Sequence, residues 1–172
     1  MRSDWVDSES MSHVLAALTP ANRLAIELSM RYGMRIGDVL SIKTEEVEKG
    51  AWTYKEEKTG KPRRIRLCAS VRERLLRQAG RIWCFEHRCD FRAHRTRQAV
   101  YKDIRRAAKA FRLKSHVSPH SARKVYAVDA YHRTNSLAQV QRLLNHSSEA
   151  VTLVYALADQ LTDKRLKRTK KS

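Results

Sequence analysis

The sequence predicts an α+β domain that is mostly helical, with one small antiparallel β-sheet at an edge. Three observations carry this. Apolar residues recur at three- and four-residue spacing in runs that open on Ser or Thr and close on Gly or a polar stretch, the pattern of helices that bury one face. Only residues 52–67 depart from it, in two short strand-like runs around a Gly/Pro turn. The 172 residues also hold only five glycines and three prolines, with no repeat and no linker-like run, so no internal domain boundary is expected.

The elements follow in order. Thr19-Pro20 supplies a cap and a first-turn proline, Leu24, Ile26, Leu28 and Met30 give apolar positions, and Gly33 stops the helix. A shorter helix is expected over 35–42. Residues 52–55 and 64–67 read as strands, joined by a hairpin link over 58–62 in which Gly60 and Pro62 set the turn. Ser70 is placed to cap a helix running to Gly80. Residues 96–111 form a basic amphipathic helix, with Val100, Ile104, Ala108 and Phe111 at helical spacing. Ser118-Pro119 repeats the cap-plus-proline start for a helix to about 132, and Ser136 opens one through Leu144. Ser147 or Ser148 opens a last helix carrying Val151, Val154 and Tyr155, and 164–172 is a polar basic tail.

Charge narrows the function. Lys and Arg number 36 against 18 Asp and Glu, a net +18. A hydrophobic share of 42% supports a real core, which excludes a disordered polycation. So large an excess points to a polyanionic partner, nucleic acid first. An anionic membrane would ask for a long apolar segment or a terminal amphipathic helix with a Trp/Phe/Leu face, and neither is found. Residues 1–12 are polar and acidic, unlike a signal peptide. Cys68, Cys84 and Cys89 are odd in number and lack a framework spacing, so reduced thiols in a cytoplasmic protein are expected. Cys84, His87, Cys89 and His94 cluster in sequence, but their spacing matches no zinc pattern, and no metal and no cofactor are expected.

Several residues have the right chemistry for a phosphodiester. Arg35 lies just past a helix stop and at the start of the next helix, where an anion is favoured, and Asp38 is expected to hold its guanidinium. Lys58 sits at the hairpin tip beside Gly60, from which an ammonium can reach a bound phosphate while its backbone stays outside. Lys55 and Lys61 are near enough to compete for that role. His120 and Arg123, three apart, share one helix face in the first turn and converge where a phosphate is well held. His146 follows a helix end at Leu143, Leu144 and Asn145, and Tyr155 comes nine residues later. Taken singly, each has a plainer reading: a surface arginine, a solvated turn lysine, a half-buried core tyrosine. A phenol of pKa about 10 needs cationic company to act as a nucleophile near neutral pH, and these residues are that company.

The segments RYGMRIGDVLSIK, EEKTGKPRRIRL, VSPHSARKVYAV and LLNHSSEAVTLVYA resemble, in order, the Arg, Lys, His-x-x-Arg, His and Tyr boxes of tyrosine recombinases of the phage integrase type. RTRQAVYKDIRRAAKAF resembles the helix this family places before its His-x-x-Arg box. The resemblance runs over about 5–159 and implies an integrase-type catalytic domain at 1–160 and a basic C-terminal helix or tail at 161–172; most members also carry an N-terminal core-binding domain, and none is expected in this chain, read either as a fragment or as a naturally minimal enzyme. It implies that Tyr155 attacks the scissile phosphate to form a 3′-phosphotyrosyl bond. Arg35 and Arg123 hold the non-bridging oxygens, Lys58 protonates the leaving 5′-oxygen, His120 assists proton transfer, and His146 donates to a phosphate oxygen. Neither metal nor ATP is implied. The implied partners are double-stranded DNA, a homo-oligomer reaching four protomers in the synapse, and an accessory DNA-bending protein. Residues 161–170 are placed either to swap onto a neighbour or to bind phosphate.

Three rival readings fare worse. Type IB topoisomerases share the residue set, but the small size and the LNHSS box ahead of Tyr155 favour the recombinase. A DNA-binding module without chemistry has no use for Tyr155 at that spacing. No aromatic strand of the kind RNA-binding domains use is present. The basic stretches 92–97 and 105–114 are the expected contacts to DNA backbone.

Overall fold

The computed structural model describes residue 6 and residues 8–145, so the expected last helix, His146, Tyr155 and the basic tail lie outside the described residues. Among those described, the order is α1 (Ser8–Ala17), α2 (Pro20–Tyr32), α3 (Ile36–Leu40), α4 (Thr44–Lys49), β1 (Ala51–Lys55), β2 (Pro62–Arg66), α5 (Ala69–Gln78), α6 (Arg97–Ala110), α7 (Pro119–Thr134) and α8 (Leu137–Leu143). The mostly helical α+β class is as expected, with β1 and β2 forming a two-stranded antiparallel sheet.

Two helices were not anticipated. Met11 and Val14 of α1 and Leu18 just past its end are buried, and Leu15 packs beside them, an i, i+3, i+4, i+7 stripe on the helix that meets α6. Full burial of such side chains stabilises by roughly 1.5–3 kcal/mol each. α4 is held at its start by the Lys43 backbone N–H donating to Glu46 Oε2 at 2.9 Å, and it ends on Gly50 at φ +75°.

Other boundaries shift for local reasons. Thr19 does precede α2, but its hydroxyl leaves the helix end and donates to Asp103 Oδ2 at 2.9 Å. Asp103 is a buried carboxylate on α6 that also accepts from the Thr19 N–H, the Asn22 amide and Arg106, so it ties α2 to α6. Helix α5 begins at Ala69 with Cys68, not Ser70, in the cap position. Helix α6 ends at Ala110, so Phe111 leaves the helical register: it is 42% exposed and stacks on His13 at 5.2 Å. Thr96, Ser118 and Ser136 cap α6, α7 and α8 as expected, each accepting a backbone N–H of its helix's first turn.

Two features position the site. Gly33 closes α2 at φ +63°, and a Cβ there would lie 2.5 Å from the Tyr126 ring, so glycine lets the end of α2 press onto α7. In the hairpin, Trp52 pairs with Ile65 and Tyr54 with Arg63. Alternation turns all four to the inner face, apolar at one end and polar at the other. A second, smaller core of Tyr126, Ala127, Ala130, Val140 and Leu144 folds α8 back onto the far half of α7.

Candidate active site

The polar end of the hairpin opens onto a cluster of arginines around one carboxylate. Glu56, just past β1, is 1% exposed. Its Oε2 accepts from Arg35 Nη1 at 2.6 Å and from Thr59 Oγ1 at 2.8 Å, and its Oε1 accepts from Arg63 Nη1 at 3.2 Å. Burial by itself would push this carboxyl up. The hydrogen bonds from Thr59 and Arg35, the Arg35 charge and the Arg63 bond outweigh that and hold it below the usual carboxylate range.

Arg35 is 8% exposed and occupies the cap position of α3, at φ −70°, ψ 147°. Its Nη1 is committed to Glu56, while its Nε is buried with no hydrogen-bond partner among the described residues. Asp38 does not hold this guanidinium as expected. Because Arg35 is extended rather than helical, the i, i+3 relation on which that expectation rested does not apply. Asp38 Oδ1 instead accepts the Glu57 N–H at 3.0 Å, and burial pushes its carboxyl above the ordinary value. Nor does α3, five residues long, supply much of a helix N-terminus. Glu56 sets the arginine.

Arg123 is 6% exposed and donates from Nη2 to the Leu144 carbonyl at 3.0 Å. It lies in the second turn of α7 rather than the first, five residues into a helix that begins at Pro119. Arg63 reaches the neighbouring carbonyl, with Nη2 3.0 Å from Leu143 O. These carbonyls end α8, where helix geometry leaves acceptors unpaired and favours cations. Asn145, the residue before His146, follows in the left-handed region at φ +57°. The Tyr54 hydroxyl lies among these groups. Burial raises it above the ordinary tyrosine value, the Arg63 and Arg123 charges oppose that, and Asp38 and Glu56 add to it.

His120 is exposed in the first turn of α7, and its backbone N–H donates to Ser118 Oγ at 3.2 Å. It lines a groove of about 350 Å³ together with Ile36, the residue after Arg35, and with Arg97, Gln98, Tyr101 and His116. Lys58 is exposed on the loop 56–61, whose ends are bridged by Glu56 N–H to Lys61 O at 3.0 Å. Lys55 and Lys61 are exposed on the same hairpin. The structure therefore gathers Arg35 and Arg123 with Glu56 and Arg63, sets His120 beside Ile36, and carries Lys58 on the loop that Glu56 begins. His146 and Tyr155 lie outside the described residues.

Glu56, Arg63 and Tyr54 were not singled out in the sequence, although a signal was there. Trp52, Tyr54 and Glu56 continue one period-2 face past the end of β1, and Arg63 and Ile65 do the same on β2. Several of the arginines expected to contact DNA also have partners within the chain. Arg95 donates to Asn22 Oδ1 at 3.3 Å, Arg106 pairs with Asp103 at 2.7 Å, and Arg97 lies 3.6 Å from Glu57. Arg92 sits over the Phe91 ring at 5.7 Å. Among the described residues no three His, Cys, Asp or Glu side chains converge as metal ligands, and no helix is long and apolar enough to cross a membrane. Cys84 is buried, with its thiol pushed up to about 11 by burial.

A mostly helical domain with a two-stranded hairpin and an arginine cluster between the hairpin and two helix ends is the catalytic-domain class of the tyrosine recombinases. The model of the phage integrase family matches residues 4–161, and the chain belongs to that family. YoeC of Bacillus subtilis (strain 168), provisionally named an integrase/recombinase, is 31% identical over 135 residues, which cover 75% of this chain and 73% of YoeC. Among solved structures, the XerH site-specific recombinase in a post-cleavage complex with its palindromic difH substrate superposes with a TM-score of 0.70 at 21% identity, over 98% of this chain. A lambda integrase tetramer bound to a Holliday junction gives a TM-score of 0.68 at 22% identity, over 89%. At those identities the likeness is one of fold. The chain spans about half the length of each, 53% of the XerH chain and 48% of the lambda integrase chain.

Proposed function

We propose that this chain is the catalytic domain, over 1–160, of a site-specific recombinase that cleaves and rejoins double-stranded DNA through Tyr155, serving a mobile element in integration or excision. One observation carries the reading. The two arginines expected to hold the scissile phosphate, Arg35 and Arg123, are both buried in one cluster, and Arg123 grips the chain one residue before Asn145-His146. Buried guanidiniums are costly unless they have anions to meet, and here Arg35 and Arg63 share the single carboxylate of Glu56, whose pKa they help to lower. The excess positive charge suits a phosphate, and suits still better the added charge of a phosphorane-like transition state.

In the proposed reaction the Tyr155 oxygen attacks the scissile phosphorus and the bond to the 5′-oxygen breaks. The phenol proton passes toward His120, and Lys58 protonates the departing 5′-oxygen. Arg35, Arg123 and His146 hold the non-bridging oxygens. A 5′-hydroxyl from the partner strand then attacks the phosphorus of the 3′-phosphotyrosyl ester and gives its proton to Lys58, while the bond to Tyr155 breaks and the phenol regains its proton from His120. Because the phosphodiester is conserved as an ester throughout, the balance closes without ATP, and charge neutralisation by arginine takes the place a metal would otherwise fill. Strand exchange between two DNA sites asks for four protomers, and the tail at 161–172 is available either to a neighbour or to DNA backbone.

The test is a suicide substrate, a nicked or phosphorothiolate duplex from the element's own ends, incubated in chelator without nucleotide. A denaturation-resistant protein–DNA adduct is expected, absent in Tyr155→Phe at unchanged DNA affinity. An adduct that persists in Tyr155→Phe, or one that requires metal or ATP, overturns the mechanism.

A further inference from the structure

Beyond the residues assigned to the reaction, the cluster contains two that have no role in it as yet, Glu56 and Arg63. We infer that they are a positioning pair: Glu56 fixes the guanidinium of Arg35, and Arg63 locks that carboxylate to the ends of α2 and α8. The inference rests on the reading of Arg35 and Arg123 given above.

The geometry is specific to these residue types. Glu56 divides its oxygens, Oε2 to Arg35 and Oε1 to Arg63, so neither guanidinium can turn without releasing the carboxylate. Arg63 spends its fork on four acceptors: Glu56 Oε1, Gly33 O at 3.1 Å, Tyr32 O at 2.5 Å and Leu143 O at 3.0 Å. Tyr32 and Gly33 end α2, two residues before Arg35. Leu143 ends α8, three residues before His146. Glu56 opens the loop that carries Lys58. One side chain thus joins the three segments that bear Arg35, Lys58 and His146, and Arg123 seizes the adjoining Leu144 carbonyl from the other side. A lysine has one point of charge and cannot span this set. A glutamine at 56 would keep the shape but present an amide group to two cations.

A purely structural bracket would cost stability when cut and leave the chemistry of the surviving fold alone. A positioning pair has a different signature, because it acts through the charge on the scissile phosphate. The experiment therefore uses the full chain and the nicked duplex in two forms, one with an ordinary scissile phosphate and one with an uncharged methylphosphonate in its place. Glu56→Gln and Arg63→Lys are compared with the wild type in single-turnover cleavage, with thermal melting by circular dichroism alongside. Misplacement of about 1 Å in a reacting group can cost about 10²-fold, and a loss of that order is expected for both variants on the phosphate. On the methylphosphonate, the loss for Glu56→Gln is expected to shrink well below that on the phosphate, since only one equatorial oxygen then carries the developing charge that the aligned guanidiniums meet. Wild-type rates for both variants on the phosphate overturn the positioning role and leave the recombinase reading standing. Equal losses on both substrates that track the fall in melting temperature overturn it in favour of a bracket. A wild type with no Tyr155-dependent adduct overturns the recombinase reading, and the positioning role with it.

Discussion

Asp103 and Glu56 are both buried carboxylates that gather several donors, and both carboxyls are held below the usual range against the upward push of burial. They differ in what they gather. Asp103 accepts from the Thr19 backbone and hydroxyl, the Asn22 amide and one arginine that is half in solvent, so its charge is met mostly by neutral dipoles. Glu56 accepts from two buried guanidiniums and one hydroxyl, and its partners carry more charge than it can cancel. The same device therefore does two jobs. Where the donors are neutral the carboxylate is a rivet between helices; where they are cations it fixes the guanidiniums that the proposed reaction uses.

The contrast can be broken by substitution. The largest effect on stability is expected for Asp103→Ala, which strands the Asn22 amide, two Thr19 donors and Arg106. A loss of about 3 kcal/mol in denaturant unfolding should appear, with single-turnover cleavage unchanged well below the melting temperature. A cleavage defect in the folded variant would erase the distinction between rivet and site. Gly33→Ala should cost somewhat less, about 2 kcal/mol, because it combines a left-handed backbone with a Cβ 2.5 Å from the Tyr126 ring. Unlike Asp103→Ala, it should also slow cleavage, since the displaced Gly33 carbonyl is one of Arg63's acceptors. An unchanged denaturation midpoint would show that α2 and α7 can part without cost.

The smallest effect lies on the pH axis. Glu56 and Asp103 are lowered, so their stabilisation is fully present above the ordinary carboxylate value of about 4 and is lost as pH falls through the lowered values. Asp38 runs the other way. Burial raises it, so the folded state binds its proton more tightly and gains stability as pH falls through that raised value. Unfolding free energy measured from pH 7 to pH 5 should hence be flat or slightly rising, with the decline confined below about pH 4. A steady loss between pH 7 and pH 5 would contradict these signs.

Local chemistry made much of the fold legible. The Ser118-Pro119 start, the Thr96 and Ser136 caps and the Gly33 stop are read within a few residues of chain, because capping and left-handed stops depend on near neighbours. The missed α1 was equally local: Met11, Val14, Leu15 and Leu18 show the stripe, but the polar, acidic start of the chain masked it. Thr19 and Asp38 were misread for a different reason. Each has a plausible partner nearby in sequence, and each is taken by one farther off, Asp103 and the Glu57 backbone. Of the site, the residue types and their order were determined by the sequence, as was the charge excess, since both are properties of composition and spacing. That Arg35 is held by Glu56 and not Asp38, and that Arg63 and Arg123 meet on successive carbonyls at the end of α8, was decided only by the tertiary structure. Buried charges pair with whatever the packed chain brings within hydrogen-bond reach, and burial makes such pairing obligatory for residues that sequence spacing alone leaves far apart.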